Sequence, residues 1–283
     1  MKNAIKGEIM KKIAVVGLGI IGGSICASLT KAGYAVDGTD LDKNVVETAL
    51  DKGYIWAEAT RLYAYDVVFI AVPPRATVSL LQTARFKDGA LVADICGVKS
   101  EIEKAVYSEE RNYRYVGLHP MAGKETSGIA SASSELFYMA NLIVTRAKET
   151  DESAIDEVKE LAKAMRFGRI IECTAEEHDR KIALTSQLAH IVSNAYVKSP
   201  QVENYEGFTG GSFQDMTRIA GVDEKMWTQL YMCNREYILE ELDGLIESLS
   251  VYRKAIKNED EEGLSEALKE GRLIREQIKL RKK

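Results

Sequence analysis

Residues suited to chemistry gather at four places in the chain. The first is Gly17-Leu18-Gly19-Ile20-Ile21-Gly22-Gly23, directly after an apolar run at 13–16. The first glycine of such a loop permits a tight strand-to-helix turn, the second lets the backbone approach a pyrophosphate, and the third allows close helix–strand packing. The helix that follows offers N–H groups and a partial positive charge to phosphates. Asp40 ends the next apolar run, 18 residues past Gly22. That is close to the spacing at which an acid meets a ribose. Its carboxylate would accept hydrogen bonds from ribose hydroxyls and repel a 2′-phosphate, so NAD is the expected cofactor rather than NADP. The expected cofactor residues are Gly17, Gly19, Ile20, Ile21, Gly22 and Asp40, with Val72 and Pro73 at the end of a third apolar run. Asp42 reads as the cap of the following helix.

The second place is His119, at the end of a fifth apolar run and followed by Pro120-Met121-Ala122-Gly123. Ligands bind outside the carboxyl ends of parallel strands, and a histidine there can take a proton near neutral pH. The position leaves catalysis and a satisfied structural role both open. Third come Ser186, His190 and Asn194, which share one helix face at i, i+4 spacing. His178, beside Asp179 earlier in that helix, reads as structural. The fourth place is Arg218, in the segment from Phe213 to Gly221. An arginine there could fork onto a carboxylate or form a surface ion pair with Asp215. The three histidines are not spaced as metal ligands and no His-Cys cluster exists, so no metal is expected.

These residues need a scaffold that alternates strands and helices. Strands are expected at 13–16, 35–39, 67–72, 91–95, 115–118, 142–145 and 169–172, separated by helices at 22–32, 43–52, 77–84, 100–109 and 151–165. Strands that read as nearly continuous apolar runs are buried on both faces, which implies a parallel, doubly wound sheet. After Cys173 the pattern turns helical, with helices expected at 175–197, 223–249 and 251–281 around a glycine-rich stretch at 207–211. The expected fold is an α/β Rossmann-type domain over residues 1–173, followed by an all-helical domain over 174–283.

Composition narrows the class. Lys+Arg total 38 and Asp+Glu 43, a net charge of −5, without the basic excess of a nucleic-acid binder. No apolar run approaches the ~20 residues of a membrane helix, and the amino end does not read as a signal peptide. The four widely spaced cysteines suit reduced thiols in a cytoplasm. A cytoplasmic protein with no nucleic-acid or membrane partner is the expectation.

The motifs in combination resemble one family. His119-Pro120-Met121-Ala122-Gly123, continuing to Glu125 and Ser127-Gly128, is similar to the HP(I/M)AG…SG signature of prephenate/arogenate dehydrogenases. So are Glu177-His178-Asp179-Arg180, the turn from Ser186 to His190, and the GG-F-x-D-x-TRIA segment from Gly210 to Ala220 with Trp227 soon after. The resemblance runs from about Lys11 to at least Trp227, in order. It implies oxidative decarboxylation of a cyclohexadienyl acid with NAD, in tyrosine biosynthesis. His119 would be the base toward the ring hydroxyl, and Arg218 would hold a substrate carboxylate. Ser186, His190 and Gly123 would line the pocket, while Glu125 and Asp215 would organise Arg218. It also implies a homodimer formed through the helical domain. Two departures stand out: Gly97 replaces a serine frequent in a D-x-G-S-V-K pattern, here Asp94 to Lys99, and Gln187 and Ala189 replace a frequent His and Pro. The competing readings are a β-hydroxyacid dehydrogenase or imine reductase, and a non-catalytic NAD-binding sensor. The first expects a lysine four residues before an asparagine, whereas Lys181 precedes Thr185.

Overall fold

The fold, taken from a computed structural model, is described for residues 11–124 and 126–280. The short β-branched runs become seven strands: β1 (Lys12–Val16), β2 (Ala35–Thr39), β3 (Val67–Ile70), β4 (Leu91–Asp94), β5 (Arg114–Pro120), β6 (Asn141–Thr145) and β7 (Arg169–Cys173). They form one sheet in the order β2-β1-β3-β4-β5-β6-β7. Helices α1 (Ile20–Lys31), α2 (Lys43–Asp51), α3 (Pro74–Thr83) and α4 (Ser100–Tyr107) carry the chain between the first five strands, all parallel. No α-helix separates β5 from β6, and β6 returns antiparallel. Helix α5 (Glu152–Ala164) then restores a parallel pairing between β6 and β7. The expected Rossmann-type, mostly parallel sheet is therefore present.

Every residue of β3 and β4 is buried, as strands covered on both faces require. The period of two along each strand divides the interior into two cores. Ile13, Val15, Phe69, Val116 and Leu118 belong to one, and Ala14, Val68, Ile70, Val92 and Tyr115 to the other. On β5 this alternation puts Tyr115, Gly117 and His119 on the second side, where Ile102 and Val106 of α4 also pack.

Beyond β7 the expected helix 175–197 contains an irregularity. Helix α6 (Ala175–Ile182) passes into a π-helical turn, Ala183–Leu188, and then into α7 (Ala189–Tyr196). After α8 (Gly211–Thr217) and α9 (Glu224–Cys233) come α10 (Arg235–Lys257) and α11 (Glu261–Leu280). The expected break near residue 250 is absent, because the Ser250 hydroxyl donates back to the Ile246 carbonyl and the helix continues. The breaks fall instead at Asn234, φ −119°, and at 258–260, where Glu259 has φ 54° and the Asp260 carboxylate accepts from the Gly263 N–H. The expected terminus at Arg281 lies outside the described residues. The chain forms two compact units, one up to Asn234 and one from Arg235. Among the described residues no helix is long and apolar enough to cross a membrane.

Candidate active site

The glycine loop is fixed by what a side chain would strike. Gly17 has φ +89°, and a Cβ there would lie 2.4 Å from the Ala71 carbonyl oxygen. A Cβ on Gly22 would lie 1.9 Å from the Gly17 carbonyl oxygen. Around Gly19 there is open space. Two glycines thus serve packing and the middle one leaves a bare approach to the backbone. Helix α1 begins at Ile20 with no side-chain cap and no acid in its first turn, so its first N–H groups face outward without an internal partner. Asp40, just past β2, accepts hydrogen bonds from Leu18 N–H at 2.8 Å and Asp42 N–H at 3.1 Å, which fixes its carboxylate beside the loop. Asp42 caps α2 by accepting from Asn44 N–H. Val72 sits against Gly17, and Pro73 precedes α3. This cradle fits a dinucleotide: a phosphate would meet N–H groups and no side chain, and a ribose would meet Asp40.

At the carboxyl end of β5, His119 is partly buried and its Nδ1 lies 2.8 Å from His178 Nε2. His178 is buried, and its Nδ1 lies 2.7 Å from Asp179 Oδ1. The Asp179 carboxylate also accepts from Lys99 N–H and Ser100 N–H, both at 2.8 Å. Those amides open α4, so Asp179 of α6 caps α4, and the helix dipole favours its charge. These hydrogen bonds outweigh burial and lower the Asp179 pKa.

The proton positions follow from this chain. A carboxylate can only accept, so His178 Nδ1 donates to Asp179 and leaves Nε2 as an acceptor. His119 Nδ1 must then donate to His178, which places the His119 lone pair on Nε2. Burial, the second imidazole and the Lys99 cation hold the His119 pKa well below its usual value. His178 is lowered as well, chiefly by burial. His119 is therefore a neutral base with a fixed tautomer. Its Nε2 and Cε1 lie 3.7 Å from where a Cβ on Gly97 would stand, and Leu230 of α9 lies 3.6 Å from the same point. A serine would fit there in ordinary contact, so the departure at Gly97 is not forced by crowding.

Arg218 ends α8 and is exposed. Its segment is gripped by α7: His190 Nδ1 donates to the Ile219 carbonyl at 2.9 Å, Ser193 to the Met216 carbonyl and Asn194 to the Ala220 carbonyl. The His190 ring lies 4.0 Å, centroid to centroid, from Trp227 of α9. Helix α9 thus carries both Leu230, beside Gly97 and His119, and Trp227, beside His190. Ser186 is half-buried in the π-helical turn, and Gly123 lies exposed after β5. Asp215 is exposed on α8, and Glu125 lies outside the described residues. Sequence reasoning missed Lys99 and the contact of His178 with His119. The Glu177-His178-Asp179 motif was the available signal.

The family model described as the prephenate dehydrogenase nucleotide-binding domain matches residues 25–172, and that of the dimerization domain matches residues 174–270. The chain belongs to the prephenate dehydrogenase family. It is 31% identical over 290 residues to a prephenate dehydrogenase of Lactococcus lactis, covering 96% of this chain and 79% of the relative. A cyclohexadienyl dehydrogenase of Zymomonas mobilis is also 31% identical, over 298 residues, covering 96% of this chain and 97% of the relative. Among solved structures, prephenate dehydrogenase from Aquifex aeolicus in complex with hydroxyphenyl propionate and NAD+ superposes with a TM-score of 0.83 at 29% identity, covering 96% of this chain and all of that one. The expected family, the NAD cofactor and the dehydrogenase class are borne out by these relatives.

Proposed function

We propose that this chain oxidises prephenate, or arogenate, with NAD+ and release of CO2, and that His119 Nε2 handles the ring hydroxyl. The observation that carries the reading is the Asp179–His178–His119 chain, which leaves one unprotonated nitrogen at the carboxyl end of β5. Bound at the Gly17–Gly22 loop with Asp40, Val72 and Pro73 around it, NAD+ supplies the acceptor for the carbinol hydrogen and its electron pair. His119 accepts the hydroxyl proton through a hydrogen bond as the carbinol carbon loses electrons. The ring carboxylate leaves as CO2, its bonding electrons complete the aromatic ring, and His119 leaves the proton on the phenolic oxygen. A positioned base of this kind contributes roughly 10²–10⁴-fold.

Arg218 is the proposed holder of a substrate carboxylate, with Ser186, Gly123 and the free edge of His190 lining the pocket and Asp215 and Glu125 as its organisers. His190 has a second part in this reading: its grip on Ile219 sets where Arg218 stands. The proposed division of labour is cofactor binding by residues 1–173 and substrate binding and dimerisation by 174–283. In support of a homodimer, α10 and α11 expose Leu239, Ile246, Leu249, Leu268, Leu273 and Ile278, an apolar load that a second copy would cover. A cytoplasmic location without nucleic-acid or membrane partners remains part of the reading. The test is NADH formation on each substrate. No NADH with either substrate across the neutral range would overturn it, and the ratio of kcat/KM values decides between them.

A further inference from the structure

Lys99 has no part in the reading above, yet it is the most deeply placed charge in the molecule. Its side chain and that of its partner Asp94 are both 0% exposed, and Nζ lies 2.6 Å from Asp94 Oδ1. Asp94 is otherwise satisfied by the Tyr115 hydroxyl at 2.6 Å and the Cys96 N–H at 2.9 Å. The lysine stem runs over Gly117, where a Cβ would stand 3.1 Å from Lys99 Cδ. Gly117 is the residue between Tyr115 and His119 on one face of β5, one strand repeat of about 7 Å from the histidine. The same residue's backbone N–H holds Asp179. Lys99 thus touches the proton chain from two sides: its amide fixes the far end, and its ammonium lies beneath the near end.

An ion pair this deep is a poor device for stability alone. Apolar side chains of similar volume fill such a space without the desolvation cost of two charges. A lysine also needs a glycine opposite, and Gly117 provides the gap. The charged and titratable groups that face the two imidazoles are Asp179 from α6, Lys99 from the turn before α4, Asp94 from β4 and Tyr115 from β5 itself. Glu103 of α4 stands further out, with its own pKa raised by burial and by Asp179. Asp94 is neutralised by its partner, and Tyr115 keeps its proton because burial and Asp94 raise its pKa. The cation is the member of this set that opposes a second proton on either histidine.

We propose that Lys99 is a positioning residue for the reaction: its buried ammonium, pinned by Asp94 over Gly117, keeps His119 and His178 uncharged, while its amide fixes Asp179. The proposal deepens the assignment of His119 as base and rests on it for its catalytic meaning.

The chain has only three histidines, so each can be followed by NMR in the full-length labelled protein, with His→Asn variants giving the assignments. Two variants are compared with wild type: Lys99→Met, and Lys99→Met with Asp94→Asn, which leaves no unpaired buried charge. The expected result is that His119 and His178 titrate roughly one pH unit higher, about tenfold in proton affinity. The acidic limb of kcat/KM should move up by the same amount, and His190 should stay where it was. Unmoved His119 and His178 titrations in a folded variant overturn the proposal. So does an equal shift of His190, which would signal a general rearrangement. If the single variant does not fold, the double variant decides. A wild-type acidic limb that does not track His119 would sink its assignment as base, while the NMR shifts would still decide what Lys99 does to the histidines.

Discussion

The glycine loop after β1 and the histidine pair beside β5 lie at the same edge of one sheet, but they are made of opposite materials. The loop is backbone: Gly17 and Gly22 pack against carbonyl oxygens, Gly19 is bare, and the only side chain with a charge is Asp40. The histidine site is side chain throughout, a buried sequence of Lys99, Asp179, His178 and His119 drawn from three separate elements. A backbone site tolerates no added atom and is nearly indifferent to pH. A side-chain site tolerates small changes of shape but depends on every proton being in place. One region should therefore fail by sterics and the other by electrostatics.

The largest effect expected is at His119. His119→Asn should lower kcat by about 10²-fold or more with NAD affinity nearly intact. A variant with near-normal kcat would remove the base from the histidine site and with it half of the contrast. Next is Gly22→Ala, whose methyl would overlap the Gly17 carbonyl. Overpacking of this sort costs about 1–3 kcal/mol, and calorimetry together with NAD titration should show both lower stability and weaker binding. A variant that binds and melts like wild type would mean that the loop has room that its geometry denies.

Asp40→Ala should weaken NAD roughly tenfold, the scale of one charge-assisted hydrogen bond, and narrow its advantage over NADP. An unchanged ratio of the two affinities would place the ribose elsewhere. The smallest effect should appear in acid. His119 and His178 have folded pKa values below their unfolded ones, so their contribution to stability is complete above about pH 6.5 and is lost as pH falls from there toward the folded values. The loss should be on the order of 1 kcal/mol per pH unit for each group, visible as a falling Tm. His119→Asn and His178→Asn should each flatten the decline. A decline as steep as wild type in both would show that the pair is not held neutral.

The same contrast governs what a single sequence reveals. Gly17, Gly19, Gly22 and Asp40 are legible because their constraints are local: a turn, a close approach and one strand end, all inside two dozen residues. The sheet is legible for a like reason, since runs such as Val67–Ile70 have no polar face. The partner of His119 is 59 positions away and that of the Lys99 amide 80; no spacing rule spans such distances, and His178 beside an aspartate reads as an ordinary buried pair. The direction of β6 had a faint sign, the lack of a helix between residues 118 and 142. The helix breaks did not, because Ser250 can satisfy its hydroxyl within a helix while Asn234 turns its amide inward to Gln187 and the Asp179 carbonyl.

The π-helical turn at Ala183–Leu188 bears on how this chain tolerates change in length. Such a turn holds one residue more than a regular helix needs, and here Leu184 and Thr185 within it are exposed. Deleting a single residue at that point would leave an unbroken α-helix, so folding itself need not object. Everything downstream, however, would turn by about 100° relative to α6. His178 and Asp179 would keep their places against α4 while His190, Ser193 and Asn194 swung off the carbonyls of 216–220. The wide turn acts as a phase setting between the proton chain and the arginine segment, and a one-residue deletion there would separate the two in a protein that still looked intact by circular dichroism.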